Sequence, residues 1–392
     1  MPSSLNLDHV PDVPPIPLSP EDARLVDPTQ FNTLANGEIL LGTKSTTFEW
    51  QHLIIKDGNT ENGANLITAL SPNGKYIVTT CDDIILLWNL PRSRAVHRLD
   101  AHTDTVWTIS FSADSTRLVS GSADTNGIVW DVETGTTIQL LQGHDADVWT
   151  AAYSSDATKI ATGSTDCTVK IWNALTGELM YTFEDHFAHV MHVSFSPDST
   201  MVASCADAVG IVWNATTGER IAQLEGHQGA IWCMRFSHAG DRLITGSEDH
   251  SARVWDVHTG DELVTLHEHT SPVWSVAFAP DDLEIVSGSY DCSVVSCDSW
   301  TGERHHVFLD DHNLSPIDTV AYSPSGDFLA SGSADGHVRL WDAKTGEFMA
   351  EFRGHEEKVK NVVFTPDGAD VISSSEDGTV RAWNVHDVLR LY

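Results

Sequence analysis

The sequence predicts an all-β chain built by repeating one four-stranded unit. Three observations predict it. Tryptophans recur at a nearly constant interval, a fixed set of polar residues travels with each of them, and the stretches between turn signals carry the pattern of short strands. A period near forty residues means one supersecondary unit repeated about an axis or along a stack.

The chain opens on a different texture. Residues 1–47 are Pro-rich (DVPPIPLSPED) and lack sustained periodicity, so they are expected to form a flexible or surface-draped arm, either a partner peptide or a tail. Trp50 then opens WQHLIIK, a candidate strand ahead of the first unit. Next come Trp88, Trp130, Trp172, Trp213, Trp255, Cys297 in a tryptophan's place, Trp341 and Trp383, at spacings of 42, 42, 41, 42, 42, 44 and 42. An Asp stands six residues before each of these positions: Asp82, Asp124, Asp166, Asp207, Asp249, Asp291, Asp335 and Asp377, with Asp83 an equal candidate in the first unit. Upstream stands His102, His144, His186, His227, His269, His312 or His355, and only the first unit lacks one. Four residues before the Asp comes Ser120, Thr162, Thr245, Ser287, Ser331 or Ser373; the fourth unit is one residue shorter and offers Ser204.

Within the seventh unit, PIDTVAYS, DFLASGS, HVRLWD and EFMAEFR are short and rich in β-branched and aromatic residues. SPSG, ADG and KTG separate them, with Gly supplying positive φ and Asp bonding its own turn backbone. Four strands per unit follow. Ser, His and Asp are also the residue types of a nucleophilic triad, but a reaction needs one nucleophile in one pocket. Groups repeated unit after unit are cohesive, so no catalytic residues are expected.

With Gly-His (Gly143-His144, Gly226-His227), Ser/Thr-x-x-x-Asp and Trp-Asp or Trp-Asn all recurring at this period, the chain resembles the WD-repeat family of β-propellers over residues 48–392. The resemblance implies a single closed β-propeller in which His, Ser/Thr, Asp and Trp form a buried hydrogen-bond network in each blade. Eight four-stranded blades are expected, with seven, the commoner number in this family, as the alternative. Two closures stay open: the strand near Trp50 completing the last blade, which is favoured, or VLRLY at the C-terminal end completing it. Cys297 and the missing first histidine mark the two blades expected to be loosest.

Composition narrows function. With 56 acidic against 22 basic residues the net charge is −34, which repels phosphates and anionic headgroups and attracts basic partners, so neither nucleic acid nor membrane is an expected direct partner. The 12 acidic residues against Arg304 alone in residues 256–311 are the extreme, read as a solvated face. No leader pattern or long apolar run stands out, and the six cysteines form no CxxC pair; a cytoplasmic or nuclear protein in a reducing compartment is expected. No metal or cofactor is expected: His267-Glu268-His269 and His305-His306 lack a third ligand at sensible spacing.

The informative positions follow the apolar residue that opens each innermost strand: Leu66, Trp107, Trp149, Met191, Trp232, Trp274, Asp318 and Lys360. The resemblance places them at the top rim of the central channel, where ligands are often met. Four tryptophans and a methionine there form either an apolar crescent for binding or packing between blades. Glu248, Tyr290 and Glu376, with Asp147, add acidity around it. The expected function is a non-enzymatic protein–protein interaction scaffold, a monomeric propeller inside a hetero-complex, whose partners carry basic or aromatic-anchored segments. The alternatives are a substrate-recognition subunit of a ubiquitin ligase and a propeller enzyme. Against the first, Glu133, His258 and Lys344 stand where an Arg is often found in such receptors; against the second, no unique carboxylate pair appears.

Overall fold

The computed structural model describes residues 38–41, 44–47, 54–56, 67–92, 94–309 and 315–389. Blade 1 runs through Thr68–Leu70, Tyr76–Cys81, Ile84–Asn89 and Arg94–Leu99. Blade 2 runs through Val106–Phe111, Arg117–Ser122, Gly127–Asp131 and Thr137–Leu141, each strand antiparallel to the next. Blades 3 to 7 repeat this order from innermost strands Val148–Tyr153, Val190–Phe195, Ile231–Phe236, Val273–Phe278 and Ile317–Tyr322. Blade 8 contains Val359–Phe364, Asp370–Ser375 and Thr379–Asn384, and its fourth strand is Ile54–Lys56, pairing Ile54 with Arg381 and Lys56 with Thr379. There are thus eight blades, not seven. The C-terminal residues form the short helix Val385–Leu389, while residues 390–392 lie outside the described residues. No helix among the described residues is long and apolar enough to cross a membrane.

Part of the Pro-rich arm is ordered into the sheet system. Glu38–Leu41 pairs with the outer strand of blade 7, Phe348–Arg353, and Lys44–Thr47 pairs outside it, so this sheet has six strands. Residues 1–37 lie outside the described residues.

The core is the set of layers between neighbouring blades. Strand residues facing the next sheet bury Val119, Val129 and Leu141 of blade 2 against Ala151, Ile160 and Trp172 of blade 3, and this contact repeats around the ring. Blade 1 meets blade 8 in the same way, through Ile77, Leu86 and Trp88 against Ile372 and Val380. There the hydroxyl of Thr68 donates to Ser374 Oγ at 2.9 Å, which closes the ring.

Close approach dictates two kinds of glycine. Gly163 lies where a Cβ would come within 2.5 Å of Val190 on the next blade. Gly260 closes the Asp256 turn at φ +77°, where a Cβ would sit 2.7 Å from the carbonyl of Gln223. Asp256 Oδ1 completes that turn by accepting from the backbone N–H of His258 and Thr259.

Candidate interaction face at the channel mouth

The blade network is built as its chemistry requires. In blade 2, His102 Nδ1 is 2.8 Å from Asp124 Oδ2 and His102 Nε2 is 2.7 Å from Ser120 Oγ, which also accepts from Trp130 Nε1 at 2.8 Å. An ionised carboxylate only accepts, so the imidazole proton sits on Nδ1 and the serine O–H donates to Nε2. Every polar atom of the chain is used. Ser120 is wholly buried and spent on two partners, so it is no nucleophile for an incoming substrate.

The same arrangement holds in blade 3 through His144, Thr162, Asp166 and Trp172, in blade 5 through His227, Thr245, Asp249 and Trp255, and in blade 8 through His355, Ser373, Asp377 and Trp383. Burial raises the Asp166 carboxyl, yet bonds from the Thr168 hydroxyl, the Asp145 and Thr168 N–H groups and His144 outweigh it and hold it at about 2. In blade 6, His269 and Ser287 keep their contact while buried Cys297 fills the indole's place. His312 lies outside the described residues; Trp341 donates to Ser331 in that blade.

Two blades depart. In blade 1, Trp88 donates to Thr79, and Asp82 and Asp83 form a two-residue turn with Asp82 at φ 54°. In blade 4, Ser204 serves His186 and Trp213 as expected, but Asp207 is not part of the network, contrary to its place in the repeat pattern. The missing residue converts the turn to a two-residue hairpin between Ala206 and Val209, in which Asp207 takes φ 51°. Among the described residues its carboxylate has no hydrogen-bond partner, and it is exposed. His186, deprived of that carboxylate, is pushed by burial down to about 4.

The face carrying the Asp turns also carries the predicted rim positions. In blades 2 to 8 the ladder shifts by one residue at the head of the innermost strand: Val106 faces Ser122 and Thr108 faces Gly121, leaving Trp107 bulged out. The bulged residues of the following blades are Trp149, Met191, Trp232, Trp274, Asp318 and Lys360. Leu66 lies outside the described residues. Trp107 and Trp149 stack with centroids 4.8 Å apart, as do Trp232 and Trp274, and the indole N–H groups of Trp107, Trp232 and Trp274 are buried without a hydrogen-bond partner among the described residues. The tryptophans and Met191 are half-buried, so they pack between blades and also present a surface.

Asp318 and Lys360 occupy the same bulge positions in blades 7 and 8. Burial raises Asp318, with Lys360 and Lys358 opposing, while Lys360 Nζ lies 3.4 Å from Glu376. Glu248 and Tyr290 are exposed, Tyr290 by 51%, and Asp147 is half-buried.

The residues alone did not reveal an open pocket of about 470 Å³ beside the crescent, lined by Cys167, Phe187, Ala188, His189, Met191, Asp207, Ala230 and Trp232. Phe187 at its lip is 99% exposed. The available signal was the aromatic in His186-Phe187, where the other units carry small or polar residues, together with the one-residue shortfall. Also unforeseen is the cluster of Asp335, His337 and Glu351, whose ligand-type atoms lie within 4.8 Å of one another. Arg339 Nη2 is 2.8 Å from both carboxylates and Arg353 is 2.8 Å from Glu351, so the cluster is an ion-pair network.

A closed ring of four-stranded blades, four of them held by a complete His–hydroxyl–Asp–Trp network and the others by parts of it, defines a WD-repeat β-propeller. The family model described as "WD domain, G-beta repeat" matches residues 55–89, 93–131, 135–173, 177–214, 218–256, 260–297, 302–342 and 346–384, and the chain belongs to that family. Among solved structures, the computationally designed Ika8 protein is similar at TM-score 0.73 and 30% identity, over 83% of this chain and 97% of that one. No curated protein matches the sequence. Propellers of this family commonly serve as protein-interaction scaffolds and are generally non-catalytic.

Proposed function

We propose that this protein is a non-enzymatic scaffold subunit that docks peptides or domains of other proteins on the face bearing the bulged residues. The observation that carries this reading is the crescent itself. Five consecutive blades carry Trp107, Trp149, Met191, Trp232 and Trp274, all half-buried, on bulges at the heads of their innermost strands. Rigid, half-buried aromatics are efficient anchors. The charge of −34 favours basic partner segments and disfavours nucleic acid and anionic membranes. The six free cysteines suit a reducing compartment, cytoplasm or nucleus.

The test is affinity capture with the wild type and with the double variant Trp149→Ala, Trp232→Ala. Loss of a defined set of bound proteins at unchanged folding, checked by a thermal melt, is expected. Retention of the full set moves the docking surface elsewhere.

A further inference from the structure

Blade 4 differs from its neighbours by one residue, and the difference falls beside the pocket. In blades 2, 3, 5, 6 and 8 the turn Asp is bonded to its own His and to the backbone N–H following it, as Asp249 is to His227 and to Gln228 at 2.9 Å. Asp207 makes neither bond, faces solvent and lines the pocket instead. Its carboxylate is paired with no described cation. The rest of the lining is largely apolar: Phe187, Ala188, Met191, Ala230 and Trp232. Phe187, almost wholly exposed, adds a ring with no packing partner to hold it there.

We infer that the pocket between blades 3, 4 and 5 receives a protein segment that seats an aliphatic or aromatic side chain against Met191, Trp232 and Phe187 and places a neighbouring Lys or Arg on Asp207. The inference rests on the proposed docking role of this face and specifies its partner. Charge complementarity selects the basic residue: exposed Glu184 and Asp185 lead into the pocket's lip, and the chain as a whole is strongly acidic. A partly enclosed carboxylate beside apolar surface pairs better with a cation than one in open water. The one-residue deletion thus exchanges a bond that holds the blade together for a group that reads a ligand, which is why His186 is left without its carboxylate.

The experiment is selection of displayed random dodecapeptides on the wild-type protein, followed by affinity measurement on variants. Selected peptides are expected to combine Arg or Lys with a nearby large apolar residue. Their binding should weaken about tenfold or more in Asp207→Asn and in Phe187→Ser, and should fall with added salt. A second variant inserts one serine between Ala206 and Asp207, restoring the spacing of the regular blades. It should recapture the carboxylate on His186, raise the melting temperature and lose the peptides. Peptides lost in Trp107→Ala but indifferent to Asp207→Asn, Phe187→Ser and the insertion overturn this pocket while leaving docking on the face intact. Peptides indifferent to all of these variants overturn both readings, and a selection that yields no binder overturns the pocket.

Discussion

Each complete polar quartet, in blades 2, 3, 5 and 8, is a small closed circuit, and its value lies in pairing the buried groups that form it. Removing the Trp172 side chain opens a cavity between blades 2 and 3 and strips Thr162 of a donor. Trp172→Ala is expected to cost about 3–5 kcal/mol and Cys297→Ala distinctly less, read from urea melts. Equal small losses would contradict the role assigned to the network. The histidines set the acid limb of stability. His186, at about 4, and His192, at about 3 through burial and the Arg235 guanidinium 2.7 Å away, are neutral when folded but take up protons near pH 6.5 when unfolded. The unfolded chain therefore binds more protons over that window, and stability present above pH 6.5 is lost as pH falls toward 4. His186→Gln should remove about 1–3 kcal/mol of the difference between pH 7 and pH 5. His337 has the opposite sign: burial lowers it, but the Asp335 and Glu351 carboxylates raise it to about 9. Its contribution is complete below pH 6.5 and disappears as pH rises through 9, so His337→Gln should destabilise at pH 7 and little at pH 10 in the same melts. The quartets were legible because spacing alone identifies them. Asp207's release was legible only as a missing residue, since nothing in a count says which way a shortened turn will point its carboxylate.

At the level of the strand and the turn, pleat period and Gly or Asp punctuation foretold four strands per unit. The bulge at the head of each innermost strand was not foretold. It is a mismatch between two paired strands, so it leaves no mark in either strand by itself. The residues it expels in blades 2 to 8 nonetheless stand at one common position of the repeat. Contact between adjacent blades is equally silent in the sequence until one sees how little room Gly163 leaves. Gly163→Ala must drive a methyl into Val190 or push blades 3 and 4 apart, and a loss of about 1–3 kcal/mol in chemical denaturation is expected. The ordered hairpin at the outer edge of blade 7 shows the limit from the other side. EILL and KSTT carry too few residues to announce a strand pair, and only the waiting edge of Phe348–Arg353 makes them one.

For the molecule as a whole, the blade count was readable and the closing partner was a choice between two ends of the chain. Pairing of Ile54–Lys56 with Thr379–Asn384 gives blade 8 its fourth strand. A chain starting after residue 57 should leave that edge bare, melt at lower temperature and self-associate with rising concentration, as light scattering coupled to size exclusion would report. Unchanged melting of a strictly monomeric truncation would show that the strand contributes nothing to closure. The Thr68–Ser374 contact, whose partners stand 306 positions apart in the sequence, has a further consequence. On the ribosome, blade 1 must wait with an open flank until blade 8 emerges, so the circle cannot close before all eight blades have been made. Once latched, the circle offers no free end from which to unzip, and a closed ring should outlast by a wide margin any chain that lacks blade 8.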